Sequence, residues 1–221
     1  LKNFTPDFVA RKSVACFGNR IICLGSGISN SNVNYPTETT LFQCALPAKY
    51  QPAVLEDSCT LRDPFGNYFY IQKGKPHQTE GLQHSFHNKS RKATEGKFLT
   101  AWIDHGKAPQ NAEYEYLILL RPTEKERKEA RQSYIIKQQD CQAHIVFDKL
   151  TQVTACSFFE SYQNAKADLI QQADAETLVM YKKNESDIQL SICSPNLNIE
   201  EKTYTTSQPS RPVVKQITIK G

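Results

Sequence analysis

No stretch of about 18 consecutive apolar residues occurs in this chain, so nothing in it reads as a membrane-spanning helix. Its seven cysteines include no C-x-x-C pair and no Cys/His spacing suited to zinc, which removes thiol-based metal binding. There is no glycine-rich phosphate loop, no H-E-x-x-H and no G-x-S-x-G, so nucleotide enzymes, zincins and serine hydrolases lose their usual signatures. No internal repeat is found, and no acidic cluster has the ligand density of a dedicated calcium site. The opening Leu1-Lys2-Asn3-Phe4-Thr5 carries neither an initiator Met nor a signal-peptide pattern, from which we expect an excised piece of a longer protein.

What is present is a globular composition. At 221 residues with 39% hydrophobic content the chain has material for one large or two modest domains with a true core. A net charge of +4 is compatible with an acidic ligand and equally with an ordinary solvated surface. The odd cysteine count leaves at least one thiol unpaired. Cys16, Cys23, Cys156 and Cys193 sit in apolar runs, where cysteine is expected to serve as a small hydrophobe.

Short runs of β-branched and aromatic residues separated by turn residues predict strands at residues 13–17, 20–24, 39–45, 68–72, 98–103, 114–120, 144–147 and 153–159. Gly18-Asn19 and Pro64-Phe65-Gly66-Asn67 read as turns between them. Close strands with such joints predict an all-β fold, a large antiparallel sandwich followed by a smaller, truncated one. One surface helix is expected behind Pro122, where Thr123-Glu124-Lys125-Glu126 forms a capping box. The weakly helical stretch 165–176 places a domain boundary near residue 170. Two further strands at 177–182 and 187–194 and a final one at 213–220 follow it.

Several residues invite chemistry. Glu38 follows Pro36 where a polar loop, Ser29 to Tyr35, enters a strand; it is either a surface carboxylate on a strand end or a functional group delivered to the lip of a sandwich. Asn30 and Asn32 in that loop suit Asx turns. Asp104 and His105 are neighbours on a strand and point to opposite faces, so they do not converge on one atom, whereas Trp102 and Asp104 share a face. A structural turn with His105 satisfying a backbone group is expected there. His77, Glu80, His84 and His87 lie in a polar stretch, 73–95, expected as a surface loop, and Arg91, Lys92 and Lys97 beside it are placed to meet a polyanion.

Three strings decide the reading. Leu24-Gly25-Ser26-Gly27-Ile28, then Thr37-Glu38-Thr39-Thr40-Leu41-Phe42-Gln43, then Ala101-Trp102-Ile103-Asp104-His105-Gly106-Lys107-Ala108-Pro109 with Tyr114-Glu115-Tyr116 behind it, stand in the order of a known family. They resemble polysaccharide lyase family 8, and most of all its chondroitin sulfate ABC lyases. The resemblance runs from about residue 8 to 221 and is looser at 54–61, 73–90 and in the final third.

The resemblance implies residues 1–170 as the central β-sandwich and 171–221 as part of the C-terminal β-domain. It implies a secreted or periplasmic bacterial parent that cleaves chondroitin and dermatan sulfate by β-elimination at uronic acid. In that family the glutamate of the second string, here Glu38, projects into the cleft of a preceding helical toroid and holds an arginine of the catalytic machinery; it is the one site residue carried over. The Asn, His, Tyr and Arg that carry out the elimination belong to the toroid, and no segment of this chain matches them. The partners implied are a sulfated glycosaminoglycan and the N-terminal toroid of the same protein, with no nucleic acid and no membrane span. No cofactor is expected in this chain, while the parent enzyme has room for calcium. An alternative from another class is a stand-alone carbohydrate-binding or structural sandwich, for which Tyr35, Tyr68 and Tyr70 would form the aromatic platform.

Overall fold

A computed structural model describes residues 7–47, 49–50, 55, 57–163, 169–195, 214 and 217–219. The chain separates into two compact units, Leu1–Gln132 and Ser133–Gly221. The division falls well ahead of residue 170, which lies at the start of a strand inside the second unit.

The first unit holds β1 (Val9–Phe17), β2 (Arg20–Ser29), β3 (Pro36–Ala45), β4 (Thr60–Arg62), β5 (Tyr68–Lys73), β6 (Lys75–Phe86), β7 (Ala93–Lys107), β8 (Ala112–Leu119) and helix α1 (Glu124–Glu129). One antiparallel sheet has the order β1-β2-β8-β5-β4 and another has β3-β7-β6. They meet face to face over a single core: Cys23 and Ile28 of β2, Leu61, Phe69, Ile71, Tyr114 and Tyr116 of the first sheet, against Phe42, Leu99, Ala101 and Ile103 of the second. Alternation along β7 is strict at this point. Leu99, Ala101 and Ile103 are buried while Thr100, Trp102 and Asp104 face the other way. Each large aliphatic side chain removed from water here stabilises by about 1.5–3 kcal/mol before entropy is counted.

The strings singled out in the sequence come together in this core. Gly25 pairs with Tyr114 and Leu24 with Glu115, and the ring of Tyr114 lies against Gly25 where a Cβ would otherwise sit. Gly27 has φ +60° at the bulge between Gly25 and Ile28, a conformation that costs glycine little and other residues more.

The opposite face of the first sheet is also covered, with Ile22, Leu24, Tyr70, Leu117 and Leu119 all buried. The capping box at Thr123 forms as expected: Glu126 N–H donates to Thr123 Oγ1, and the Glu126 carboxylate accepts from Thr123 N–H. Arg127 lies over the ring of Tyr68 at 5.1 Å, and Arg131, just beyond α1, over Tyr70 at 5.6 Å. The expected turn at residues 64–67 is anchored by buried Asp63, whose carboxylate accepts from the Phe65 and Asn67 backbone and from the Asn67 amide.

The second unit holds β9 (Tyr134–Gln139), β10 (Ala143–Asp148), β11 (Val153–Phe158), β12 (Tyr162–Gln163), β13 (Ile170–Ala173), β14 (Thr177–Lys183), β15 (Ile188–Cys193) and β16 (Ile217–Ile219). A five-stranded sheet, β15-β14-β11-β10-β9, packs on a three-stranded one, β12-β13-β16, around Ile145, Phe158, Tyr162, Ile170 and Val179. Strands expected at 144–147 and 153–159 thus belong to this second unit, because they pair with β9 and β14 and share its core. The expected final strand is represented by Ile217–Ile219; Val214 is described and is not part of a strand, and 213, 215, 216 and 220 lie outside the described residues.

Three expectations are corrected. The stretch 165–176 is not helical where it is described: Ile170–Ala173 is strand β13, and 165–168 lie outside the described residues. The polar stretch 73–95 is not a loop: most of it is β6, which pairs with β7 from Lys75–Asp104 to Phe86–Ala93. Its polarity reflects an edge strand with little buried on either side, as Leu82 at 58% and Phe86 at 63% exposure show. Of the four cysteines expected in cores, Cys23 and Cys156 are buried, but Cys16 and Cys193 are exposed because β1 and β15 are edge strands.

Gly25→Ala should destabilise the first unit by about 1–3 kcal/mol through overpacking against Tyr114, whose buried ring has no room to retreat. Urea denaturation of the two proteins measures the difference.

Candidate functional site

Glu38 stands at the third position of β3, with its neighbours deciding its direction. Thr39 is buried, at 7% exposure, and Phe42 lies in the core, so Glu38 and Thr40 are turned outward. Across the ladder Glu38 pairs with Asp104 and Thr40 with Trp102; on the far side of β7, Asp104 pairs with Lys75 and Trp102 with His77. The outward face of this sheet therefore carries a charged row, Glu38–Asp104–Lys75, beside an aromatic row in which Trp102 and His77 stack at 5.6 Å. Asp104 turns one oxygen to the Gly106 N–H at 2.8 Å. Among the described residues the Glu38 carboxylate has no hydrogen bond and no ion pair, although it faces a second carboxylate. Like charges directly opposed across a ladder disfavour each other; Lys75 opposes Asp104 from the other side, and Glu38 at the end of the row is the carboxylate that a further cation would relieve.

The approach to β3 is rigidly held. Asn30 is buried; its amide donates to Thr37 Oγ1 at 2.7 Å and its carbonyl oxygen Oδ1 accepts from Asn32 N–H at 2.9 Å. Asn32 Oδ1 in turn accepts from the backbone of Asn34 and Tyr35. Both asparagines make the Asx turns expected of them. The loop is tied to the β7–β8 connection by Asn30 N–H to Pro109 C=O and Ala108 N–H to Asn32 C=O. Glu38 is thus delivered by a pinned loop and not by a free one.

On the inner side of the same step, Thr39 Oγ1 lies 2.8 Å from His105 Nε2. His105 and not Asp104 points toward the core, and its partner is a side chain on the neighbouring strand, not the backbone group expected; Asp104 takes that role through Gly106. The imidazole sits 6.1 Å from the Tyr114 ring. Burial, with Lys12 adding to it, holds its pKa below the ordinary histidine value despite Asp104 next to it, so it is neutral near pH 7. Burial likewise pushes Tyr114 up to about 12 and Cys23 up to about 11, which keeps both protonated near pH 7. Sequence reasoning missed the Thr39–His105 contact; the alternation that turns both inward was visible, but the pairing of β3 with β7 was not.

The remaining candidates are not brought together. His77 and His84 are seven residues apart on β6, about 24 Å at strand rise and on opposite faces. His84 instead meets Glu95 at 3.5 Å, Glu80 pairs with Lys97, and His87 Nδ1 accepts from Ser90 N–H. Of the three cations expected to meet a polyanion, Lys97 is engaged by Glu80 and Arg91 covers Phe86 at 5.7 Å. No aromatic platform forms from the tyrosines. Tyr70 is buried, Tyr68 is half-covered by guanidinium groups, and Tyr35 stands apart at 71% exposure.

With the geometry in place, the comparisons with known proteins are decisive. The description of polysaccharide lyase family 8, super-sandwich domain, matches residues 1–131, which is the first unit almost to its end. The chain belongs to polysaccharide lyase family 8. It is 38% identical to a chondroitin sulfate ABC exolyase of Proteus vulgaris over 86% of this chain and 20% of that protein. It is 32% identical to a chondroitin sulfate ABC endolyase of the same organism over 100% of this chain and 23% of that protein. The chain spans about a fifth of the length of these curated relatives. Among solved structures, the Streptomyces coelicolor A3 chondroitin AC lyase in complex with chondroitin sulphate shares the fold at a TM-score of 0.71 and 19% identity, over 84% of this chain and 26% of that one. As a family 8 β-sandwich, this chain has the architecture that its sequence predicts. Among its described residues no helix is long and apolar enough to cross a membrane.

The half-buried, neutral His105 sets a pH dependence. Its folded pKa lies below its unfolded value near 6.5, so the unfolded chain takes up the proton first and stability is lost as pH falls from 6.5 through the folded value. In thermal melts from pH 7.5 to 5, wild type should lose more stability on acidification than His105→Gln does.

Proposed function

We propose that this chain is the β-sandwich portion of a secreted or periplasmic bacterial lyase that degrades chondroitin and dermatan sulfate by β-elimination. Its contribution to the reaction cleft is Glu38. The observation that carries this reading is the outward, unpaired Glu38 carboxylate opposed to Asp104 on a pinned strand of a family 8 sandwich. Such a pair of carboxylates is a receptor for a cation. A guanidinium from a helical toroid of the same protein fits it, since a carboxylate fixes that planar group by charge-assisted, bidentate hydrogen bonds.

The chemistry follows from holding that guanidinium still. In β-elimination a base removes the proton on C5 of the uronate, the electron pair moves to form the C4–C5 double bond, and an acid protonates the departing C4 oxygen. Negative charge builds on the uronate carboxylate as the C5 proton leaves, and a fixed cation beside it lowers the barrier most if it needs no reorganisation. Glu38 supplies that fixity while its own negative charge keeps the arginine from wandering toward sulfate groups elsewhere on the polymer. The base, the acid and the arginine come from the toroid, so the 221-residue chain by itself forms no unsaturated product.

In the full-length protein, Glu38→Ala should lower kcat on chondroitin sulfate by about a hundredfold, equivalent to about 2.7 kcal/mol, with a far smaller change in KM and an unchanged melting temperature. Glu38→Gln, which keeps hydrogen-bonding atoms but not the charge, should recover only part of it. Ultraviolet absorbance of the unsaturated uronate follows the reaction. Activity of Glu38→Ala within about twofold of wild type would refute the assignment.

A further inference from the structure

The β3–β7 ladder is irregular on both sides of the site. One register shift falls between Pro36 and Glu38 and another between Thr40 and Phe42, so Glu38, Thr39 and Thr40 form a three-residue island of regular pairing with Asp104, Ile103 and Trp102. Each irregularity offsets the pairing by one residue and re-aims the strand locally, so the island is held in a register one residue away from that of the ladder on either side. A slip of one residue would exchange the faces of Glu38 and Thr39. The carboxylate would turn into the core beside Tyr114, and the threonine would turn out to the cleft.

The feature that discriminates between the two registers is the hydrogen bond from the island to β7. Thr39 Oγ1 lies 2.8 Å from His105 Nε2, on the inner face and diagonal to the Thr39–Ile103 pair. The His105 ring is itself backed by Tyr114, whose own ring is seated on Gly25. A continuous line of contacts therefore runs from β2 through β8 and β7 to the residue next to Glu38. In the slipped register this bond is lost and a carboxylate takes the place of a hydroxyl in the core, which adds the cost of a buried charge.

We propose that Thr39 and His105 form a positioning pair that locks the bulged β3–β7 island in the register presenting Glu38 outward. The inference rests on the reading of Glu38 given above. Neither residue touches substrate; both act through Glu38. The Leu24-Gly25 and Tyr114-Glu115-Tyr116 strings are then the far end of the same support, a reason for their occurrence together with the glutamate string that composition alone does not supply.

A double-mutant cycle in the full-length protein tests it, with kcat and KM on chondroitin sulfate and the melting temperature as readouts. Thr39→Val, which keeps the shape and removes the hydroxyl, should lower kcat on the order of tenfold while KM stays within about twofold. Thr39→Ser should restore kcat, and His105→Gln, which keeps a hydrogen-bonding side chain, should fall between the two. In a Glu38→Ala background Thr39→Val should cost nothing further in kcat, because its effect is exerted through the missing carboxylate. If Glu38→Ala is impaired but Thr39→Val retains wild-type kcat, the positioning pair is overturned and the Glu38 reading stands. If Thr39→Val costs the same factor with and without Glu38, its role is general support of the fold, and the proposal is again overturned. If Glu38→Ala is itself fully active, the site reading fails and takes the pair with it. Should Thr39→Val prove too unstable to assay, His105→Gln takes its place in the same cycle with Glu38→Ala, and Thr39→Ser serves as the control that keeps the hydroxyl.

Discussion

The structure of the first unit depends on the registration of two sheets across one core. Leu99, Ala101 and Ile103 of β7 and Phe42 of β3 meet Cys23, Ile28, Phe69 and Tyr116 of the facing sheet, and every alternate side chain is committed outward by that contact. In a strand the two faces have no independent freedom: what is buried on one determines what is presented on the other. Trp102, Asp104 and Glu38 look outward because Ile103 and Thr39 look in.

That arrangement separates two kinds of support. The hydrophobic core supplies most of the free energy and sets which face of each strand turns inward. Polar contacts supply direction. Asn30, buried and bonded to Thr37, fixes where β3 begins, and Thr39 with His105 fixes how it faces. Neutral His105 is suited to this role, because a charged imidazole in the same half-buried position would carry a desolvation cost that weakens the support it gives. The second unit shows the contrasting case. Its core residues Val179 and Tyr181 are buried, yet Ile188, Leu190 and Ile192 on the adjoining edge strand β15 keep roughly two fifths of their surface exposed, at 37%, 42% and 44%.

Much of the fold was legible in the sequence, for identifiable reasons. β2, β3, β8, β11 and β14 are rich in β-branched and aromatic residues and buried on at least one face, so local propensity and tertiary demand agree. The capping box at Thr123 is entirely local and formed as written. Strands β6 and β13 were not legible. β6 is an edge strand whose sequence of Gln, His, Glu and Ser is dictated by solvent, and its strand state is imposed by pairing with β7. The same lack of a pattern hid the break between the units: the strand runs on either side of Gln132 look alike, and only their pairing partners assign them.

For the site, the sequence by itself determined which residue carries the charge and that its immediate neighbours alternate, and through its ordered strings it determined the family to which the chain belongs. Those are properties of local order along the chain. Tertiary structure decided the rest: that Glu38 is opposed to Asp104, that the two asparagines pin the loop to the β7–β8 connection, and that Thr39 meets His105 from a position 66 residues away. Cross-strand register depends on where bulges fall and on which side chains find partners inside the core. Both are settled only when distant strands are brought into contact.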